Sequence, residues 1–100
     1  MRQFETAETE AVTAFYRSID DPAAKAVLDH LIDHPEQRLD GAAIARQLGL
    51  ERHRDVARAT FLIGQIAAAR GHKRPWNEAQ LGYAMPEAQA ALFRRARASS

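Results

Sequence analysis

The segment Ala43-Ile44-Ala45-Arg46-Gln47-Leu48-Gly49-Leu50 determines how this chain folds, because it predicts two helices joined by a tight turn. Asp40, just before it, is a strong N-cap residue whose carboxylate accepts the free amide hydrogens of a helix start. Gly49 supplies the left-handed backbone conformation that closes a helix, and Leu50 provides the apolar contact across the closure. Ala45 is small enough for a second helix to approach the first closely.

Apolar residues at helical spacing continue in both directions from this segment. The predicted helices cover residues 8–19, 22–34, 41–48, 52–70 and 86–98. Asp21-Pro22 is a strong start signal, because proline at the first helical position loses no hydrogen bond. Between residues 72 and 85 the pattern changes to alternating apolar and aromatic residues, most clearly over 81–85, which predicts two short strands. We expect Trp76 and Tyr83 to lie in the core at the base of this hairpin.

These elements predict one domain over residues 1–100, mainly α with a small β-hairpin. Its parts are an N-terminal arm and helix (1–20), a three-helix core (21–71), the hairpin (72–85) and a C-terminal helix (86–98). The chain is 46% hydrophobic and 27% charged, which is ordinary for a globular domain.

The charge is distributed unevenly, although the formal net charge is only +1. Residues 1–51 carry five Lys or Arg against ten Asp or Glu, whereas residues 52–100 carry nine against three. A polyanion would be attracted to the basic part. Alternatively, the two parts attract each other within the fold or between subunits.

The order of three helices, hairpin and helix resembles a winged helix-turn-helix domain, here with an extra N-terminal helix and a C-terminal helix. Pro75-Trp76 and Tyr83-Ala84-Met85-Pro86 resemble the end of an uncharacterised actinobacterial family of this fold. The turn departs from the pattern of the DNA-reading members, because Val56 lies seven residues after Gly49 instead of six. The resemblance implies a bacterial DNA-binding regulator of transcription, or a protein-interaction module that is antitoxin-like or an adaptor.

The DNA-binding hypothesis assigns contacts to the long helix and the hairpin. If Val56 points inward, steps of 100° place Arg54, Arg58 and Gln65 outward, and Arg and Gln make bidentate contacts to guanine and adenine. The predicted contacts to double-stranded DNA are Arg52, Arg54, Arg58, Gln65, His72, Lys73 and Arg74. The alternative for these side chains is a solvated face or ion pairs with the acidic part of the chain.

The protein-interaction hypothesis depends on aromatic residues that such a domain does not obviously bury. Phe61 shares the outward face of the long helix, where an aromatic suits packing against the N-terminal helix or a second subunit. Phe15 and Tyr16 on the N-terminal helix complete the predicted partner interface. We therefore expect a homodimer, and a protein partner under the second hypothesis.

Other classes of function have little support in the sequence. His30 and His34 have zinc-compatible spacing but no evident third ligand, and we expect no metal and no cofactor. A phosphate loop, a nucleophile elbow and cysteine are all missing, so we do not expect an enzyme. The sequence contains no long apolar run, so we expect no membrane contact and a cytoplasmic location.

Overall fold

The computed structural model describes residues 1–80 and 82–100, and within them it contains five α-helices and a three-stranded antiparallel sheet. The helices are α1 (Thr9–Ser18), α2 (Pro22–Asp33), α3 (Gly41–Leu48), α4 (His53–Ala69) and α5 (Glu87–Ala98). The strands are β1 (Leu39–Asp40), β2 (Asn77–Ala79) and β3 (Gly82–Ala84). All five predicted helices are present, with ends shifted by at most one residue.

The helix ends follow the signals that the sequence carries. The Asp21 carboxylate accepts a hydrogen bond from the Ala24 amide at 2.9 Å, and the Asp40 carboxylate accepts one from the Ala43 amide at 2.7 Å. Gly49 ends α3 with a φ of 70°, which an L side chain adopts only with strain. The turn between α3 and α4 is therefore built as the segment around Gly49 predicts.

The sheet contains one strand that the sequence pattern did not reveal. In β1, Leu39 lies opposite Tyr83 and Asp40 lies opposite Gly82, so β3 is the central strand in the order β1-β3-β2. A strand of two residues is too short to show alternation, and these residues also precede and cap α3. The hairpin itself is shorter than expected, because β2 begins only at Asn77. Leu81, which we assigned to the second strand, lies outside the described residues.

The aromatic residues of α1 lie in the core. Phe15 is fully buried and its ring centroid lies 4.9 Å from that of Phe4 and 5.9 Å from that of Phe93 on α5. Tyr16 is 6% exposed, and its hydroxyl donates a 2.7 Å hydrogen bond to Asp29. The prediction that Phe15 and Tyr16 form a partner interface is therefore wrong. Phe15 packs against α5, and Tyr16 contacts Asp29 and Lys25 of α2.

The N-terminal arm also packs into the fold. Phe4 is 2% exposed and stacks on the imidazole of His72, with 4.1 Å between ring centroids. Arg2 forms a parallel bridge with His72, and the Gln89 side-chain amide donates to the Phe4 carbonyl at 2.9 Å. The arm thus closes the end of the core that α1 and α5 would leave open.

Candidate nucleic-acid interface

One side of α4 faces away from the core. Val56, Ala59, Ile63 and Ala67 are buried against the other helices. The side chains that helical spacing placed outward, Arg54, Arg58, Phe61 and Gln65, are all exposed. The prediction of which face α4 presents is therefore confirmed.

Four arginines lie where α3 and α4 meet. Arg46 is exposed on α3, Arg52 precedes α4, and Arg54 and Arg58 lie in its first two turns. Arg46, Arg52 and Arg54, together with His53, line an open cleft of about 600 Å³ beside the turn. Within the described residues, none of the four arginine side chains makes an ion pair or a hydrogen bond. We call these four residues the arginine corner.

Four of the eight arginines elsewhere form ion pairs within the described part of the fold. Arg97 on α5 donates to the Asp33 carboxylate at 2.7 Å and lies 3.4 Å from Asp29, and the Asp33 hydrogen bond raises the pKa of the Arg97 guanidinium. Arg94 pairs with Glu87, and Arg2 pairs with Glu8 at 2.6 Å. The expected attraction between the acidic and basic parts of the chain thus exists at Arg97 but does not involve the arginine corner.

Acidic groups do lie near the arginine corner. Glu51 is exposed and lines the same cleft. The Asp55 carboxylate accepts a 3.2 Å hydrogen bond from the Arg52 amide, so it serves the start of α4. Asp21 and Asp55 line a shallow crevice beside Arg58. These carboxylates weaken the local field, but the net charge of this surface stays positive.

The hairpin contributes less to this surface than expected. His72 is 5% exposed between Phe4 and the Arg2 carbonyl, so the prediction that it contacts nucleic acid is wrong. Arg74 is exposed, but its side chain lies against Gly64 of α4 and its guanidinium pairs with Glu78. Lys73 is exposed and makes no ion pair within residues 1–80 and 82–100. Of His72, Lys73 and Arg74, which were predicted to contact DNA from the hairpin, Lys73 is the one that is both exposed and without an ion pair in the described residues.

Of the two aromatic residues predicted at the base of the hairpin, Trp76 lies in the core and Tyr83 packs at its edge. Trp76 is 5% exposed, and its indole N–H donates to the Glu78 carboxylate at 2.9 Å. Tyr83 is half-buried against the core cluster. Glu78 thus satisfies the buried indole and the Arg74 guanidinium together, which holds the short hairpin against α4.

Phe61 is the exception among the aromatic residues. Phe61 is 61% exposed. The expectation that it packs against the N-terminal helix is therefore wrong, and the expectation that it contacts a second subunit stays a prediction. Phe15 and Tyr16, which also motivated the expected self-association, are buried in the core. Phe61 is left as the aromatic residue available for a partner in the described part of the chain.

His30 of α2 and His34, the residue that caps the end of α2, belong to no larger cluster of metal ligands in the described residues. The His30 and His34 rings lie 4.3 Å apart, and burial together with the charge of His34 lowers the pKa of His30. Across residues 1–80 and 82–100, no group of three or more potential ligands is close enough to hold a metal ion. In the same residues, no helix is both long enough and apolar enough to cross a membrane.

Arg46 was missed by the sequence analysis, which placed the contacts on the long helix and the hairpin. The signal was present, because Ile44 and Ala45 are the buried positions of α3 and their spacing turns Arg46 and Gln47 outward. What the spacing does not show is that α3 packs against α4 so that Arg46 lines the same cleft as Arg52 and Arg54.

The fold and this surface define a class of protein: a small, mainly helical domain with a three-stranded antiparallel sheet and an exposed basic helix corner. A family model described as "Family of unknown function (DUF6416)" matches residues 9–100, and the chain belongs to that family. Comparison with curated proteins and with solved structures gives no significant match.

Proposed function

We propose that this protein is a winged helix-turn-helix domain that binds double-stranded DNA as a regulator of transcription. The topology supports the proposal, because β1 lies between α2 and α3 and pairs with the hairpin that follows α4. The α3–α4 pair with its glycine turn forms the helix-turn-helix, and β2 with β3 forms a short wing. In such domains the second helix of the pair enters the major groove.

The observation that carries the proposal is the arginine corner. Ion pairs within the fold neutralise Arg2, Arg74, Arg94 and Arg97, whereas the described contacts leave the arginine corner unpaired on one surface. Water solvates an exposed guanidinium adequately, but four unpaired like charges on one surface create a positive potential that attracts a partner of opposite charge. The DNA backbone is such a partner.

The contacts divide into two kinds under this proposal. Arg54, Arg58 and Gln65 point away from the core along α4, where guanidinium and amide groups can read guanine and adenine edges. Arg46, Arg52 and Lys73 lie beside this face and would contact phosphates, which set the orientation but not the sequence preference.

The proposal is tested by selecting a preferred site from a random duplex library and comparing two variants of equal charge. Arg58→Ala is expected to cost about 1 to 3 kcal/mol on the preferred site and little on random duplex. Arg94→Ala removes the same charge from an arginine already paired with Glu87, so its binding should match that of the unmodified protein. If no duplex is enriched at low salt, or if both variants weaken binding equally, the proposal fails.

The second candidate is a protein-interaction module, antitoxin-like or an adaptor, and the exposure of Phe61 favours it. An exposed aromatic on an otherwise polar helix is a common anchor for a partner, including a second copy of the chain in a homodimer. This candidate predicts that Phe61→Ala abolishes association with a protein, while changes in the arginine corner affect only its rate. Sedimentation and protein-binding measurements on Phe61→Ala and on the arginine-corner variants distinguish the two candidate functions.

A further inference from the structure

Phe61 occupies the middle of the face that the proposed function directs at DNA. Steps of 100° place it about 20° from Arg54 and about 60° from Arg58 around the helix axis. Its side chain is 61% exposed, and among the described residues the other exposed large apolar side chain is Met1, at the chain start. If this face enters the major groove, the Phe61 ring loses contact with water and is best matched by an apolar group of the DNA.

The major groove offers one such target. The C5-methyl group of thymine projects into it, and apolar side chains, including phenylalanine, contact that group. Cytosine lacks the methyl group and 5-methylcytosine regains it, so the chemistry to be recognised is a C5-methyl pyrimidine. We propose, on the basis of the DNA-binding function above, that Phe61 reads the C5-methyl group of a thymine.

The charge around Phe61 favours DNA over a second copy of this chain. A symmetric dimer through Phe61 would bring two copies of the same basic face together, so the Arg54 and Arg58 side chains of both copies would share one interface. Neither side chain forms an ion pair within the described residues, and the nearby carboxylates of Glu51, Asp21 and Asp55 offset only part of this repulsion. A duplex brings phosphates to both sides of the groove and removes this difficulty.

Helix geometry predicts where the methyl group lies in the site. With a rise of about 1.5 Å per residue, Phe61 is about 10 Å along the axis from Arg54, about 4.5 Å from Arg58 and about 6 Å from Gln65. Base pairs are about 3.4 Å apart. If α4 lies along the groove, the thymine should lie within about three base pairs of the base read by Arg54 and closer to the base read by Arg58.

The experiment uses the full chain and the duplex selected from a random library. Each thymine of the site is replaced singly by deoxyuridine, which removes only the methyl group. At one thymine we expect binding of the unmodified protein to weaken about fourfold, the effect of exposing one buried methyl-sized group. Phe61→Ala should bind the thymine and deoxyuridine duplexes equally, whereas Phe61→Leu should keep part of the difference.

Two controls separate this inference from the DNA-binding proposal. Arg54→Ala should weaken binding to both duplexes while keeping the fourfold ratio, because it leaves Phe61 in place. A second set of duplexes replaces that T·A pair by C·G and then by 5-methylcytosine·G. Adding the methyl group should strengthen binding of the unmodified protein about fourfold and leave binding of Phe61→Ala unchanged.

The inference is overturned if every deoxyuridine duplex binds like the thymine duplex, or if Phe61→Ala keeps the difference. It is also overturned if Phe61→Ala only dissociates a dimer and leaves the thymine preference intact. In these cases the loss caused by Arg58→Ala would still support DNA binding. Phe61 is exposed, so the thermal midpoint of Phe61→Ala should equal that of the unmodified protein, which shows that any binding change is local.

Discussion

The salt dependence of DNA binding follows directly from which cations are unpaired. The cations assigned to phosphates are Arg46, Arg52 and Lys73, which are exposed and have no ion pair within the described residues. For each phosphate that the protein neutralises, log K for DNA binding falls by about 0.9 for each tenfold rise in salt concentration. Three phosphate contacts therefore give a plot of log K against log salt concentration with a slope of about −2.7. Raising the salt from about 50 to about 200 mM should then weaken binding roughly 40-fold.

Removing one of these cations changes the slope by a known amount. Lys73→Ala or Arg46→Ala should each reduce it to about −1.8, so that the same salt increase weakens binding only about 12-fold on any sequence. The assay is fluorescence anisotropy with a labelled random duplex at four or more salt concentrations. Arg58→Ala, assigned to a base, should change this non-specific slope little.

The matched control is Arg94→Ala, which removes one positive charge from a residue paired with Glu87 on α5. If binding depends on the α3–α4 surface, this variant keeps the slope of the unmodified protein. Equal reductions in slope for Arg94→Ala and Lys73→Ala would show that the duplex responds to net charge alone, and the reasoning from unpaired cations would be refuted.

Three further predictions concern the fold. Burial and the hydrogen bond to Asp29 raise the pKa of Tyr16 to about 12, above its ordinary value near 10. The unfolded chain therefore loses the phenol proton at lower pH than the folded protein does. The free energy of unfolding should fall between pH 10 and 12 by at most about 3 kcal/mol. In urea titrations at alkaline pH, the free energy of unfolding of Tyr16→Phe should not show this decrease. If Tyr16→Phe shows the same decrease as the unmodified protein, other groups cause it. Gly49→Ala should destabilise the protein by about 1 to 2 kcal/mol, because φ is 70° there, and an unchanged urea midpoint would contradict this. Trp76 should show blue-shifted native fluorescence, because it is 5% exposed, and emission typical of solvated indole would contradict the hairpin packing.

The local features of this protein are determined by its sequence. The carboxylates of Asp21 and Asp40, the left-handed conformation of Gly49 and the helical spacing of apolar residues act over a few residues, so the helices were predicted to within one residue. The same spacing identified the outward residues of α4, because exposure on an amphipathic helix follows from which residues are apolar.

The tertiary structure decided which side chains are available to a partner. The sequence predicts Phe15 and Tyr16 at a partner interface, but they pack against α5 and α2 respectively. It predicts that His72 contacts DNA, but Phe4 stacks on that imidazole and buries it. Strand β1, the pairing of Arg74 with Glu78 and the position of Arg46 beside α4 likewise depend on elements far apart along the chain. The periodicity of apolar residues shows on which face of its own helix or strand a residue lies. Whether a side chain is buried or ion-paired depends on which other elements pack against that face. The periodicity of a single helix or strand gives no information about those other elements.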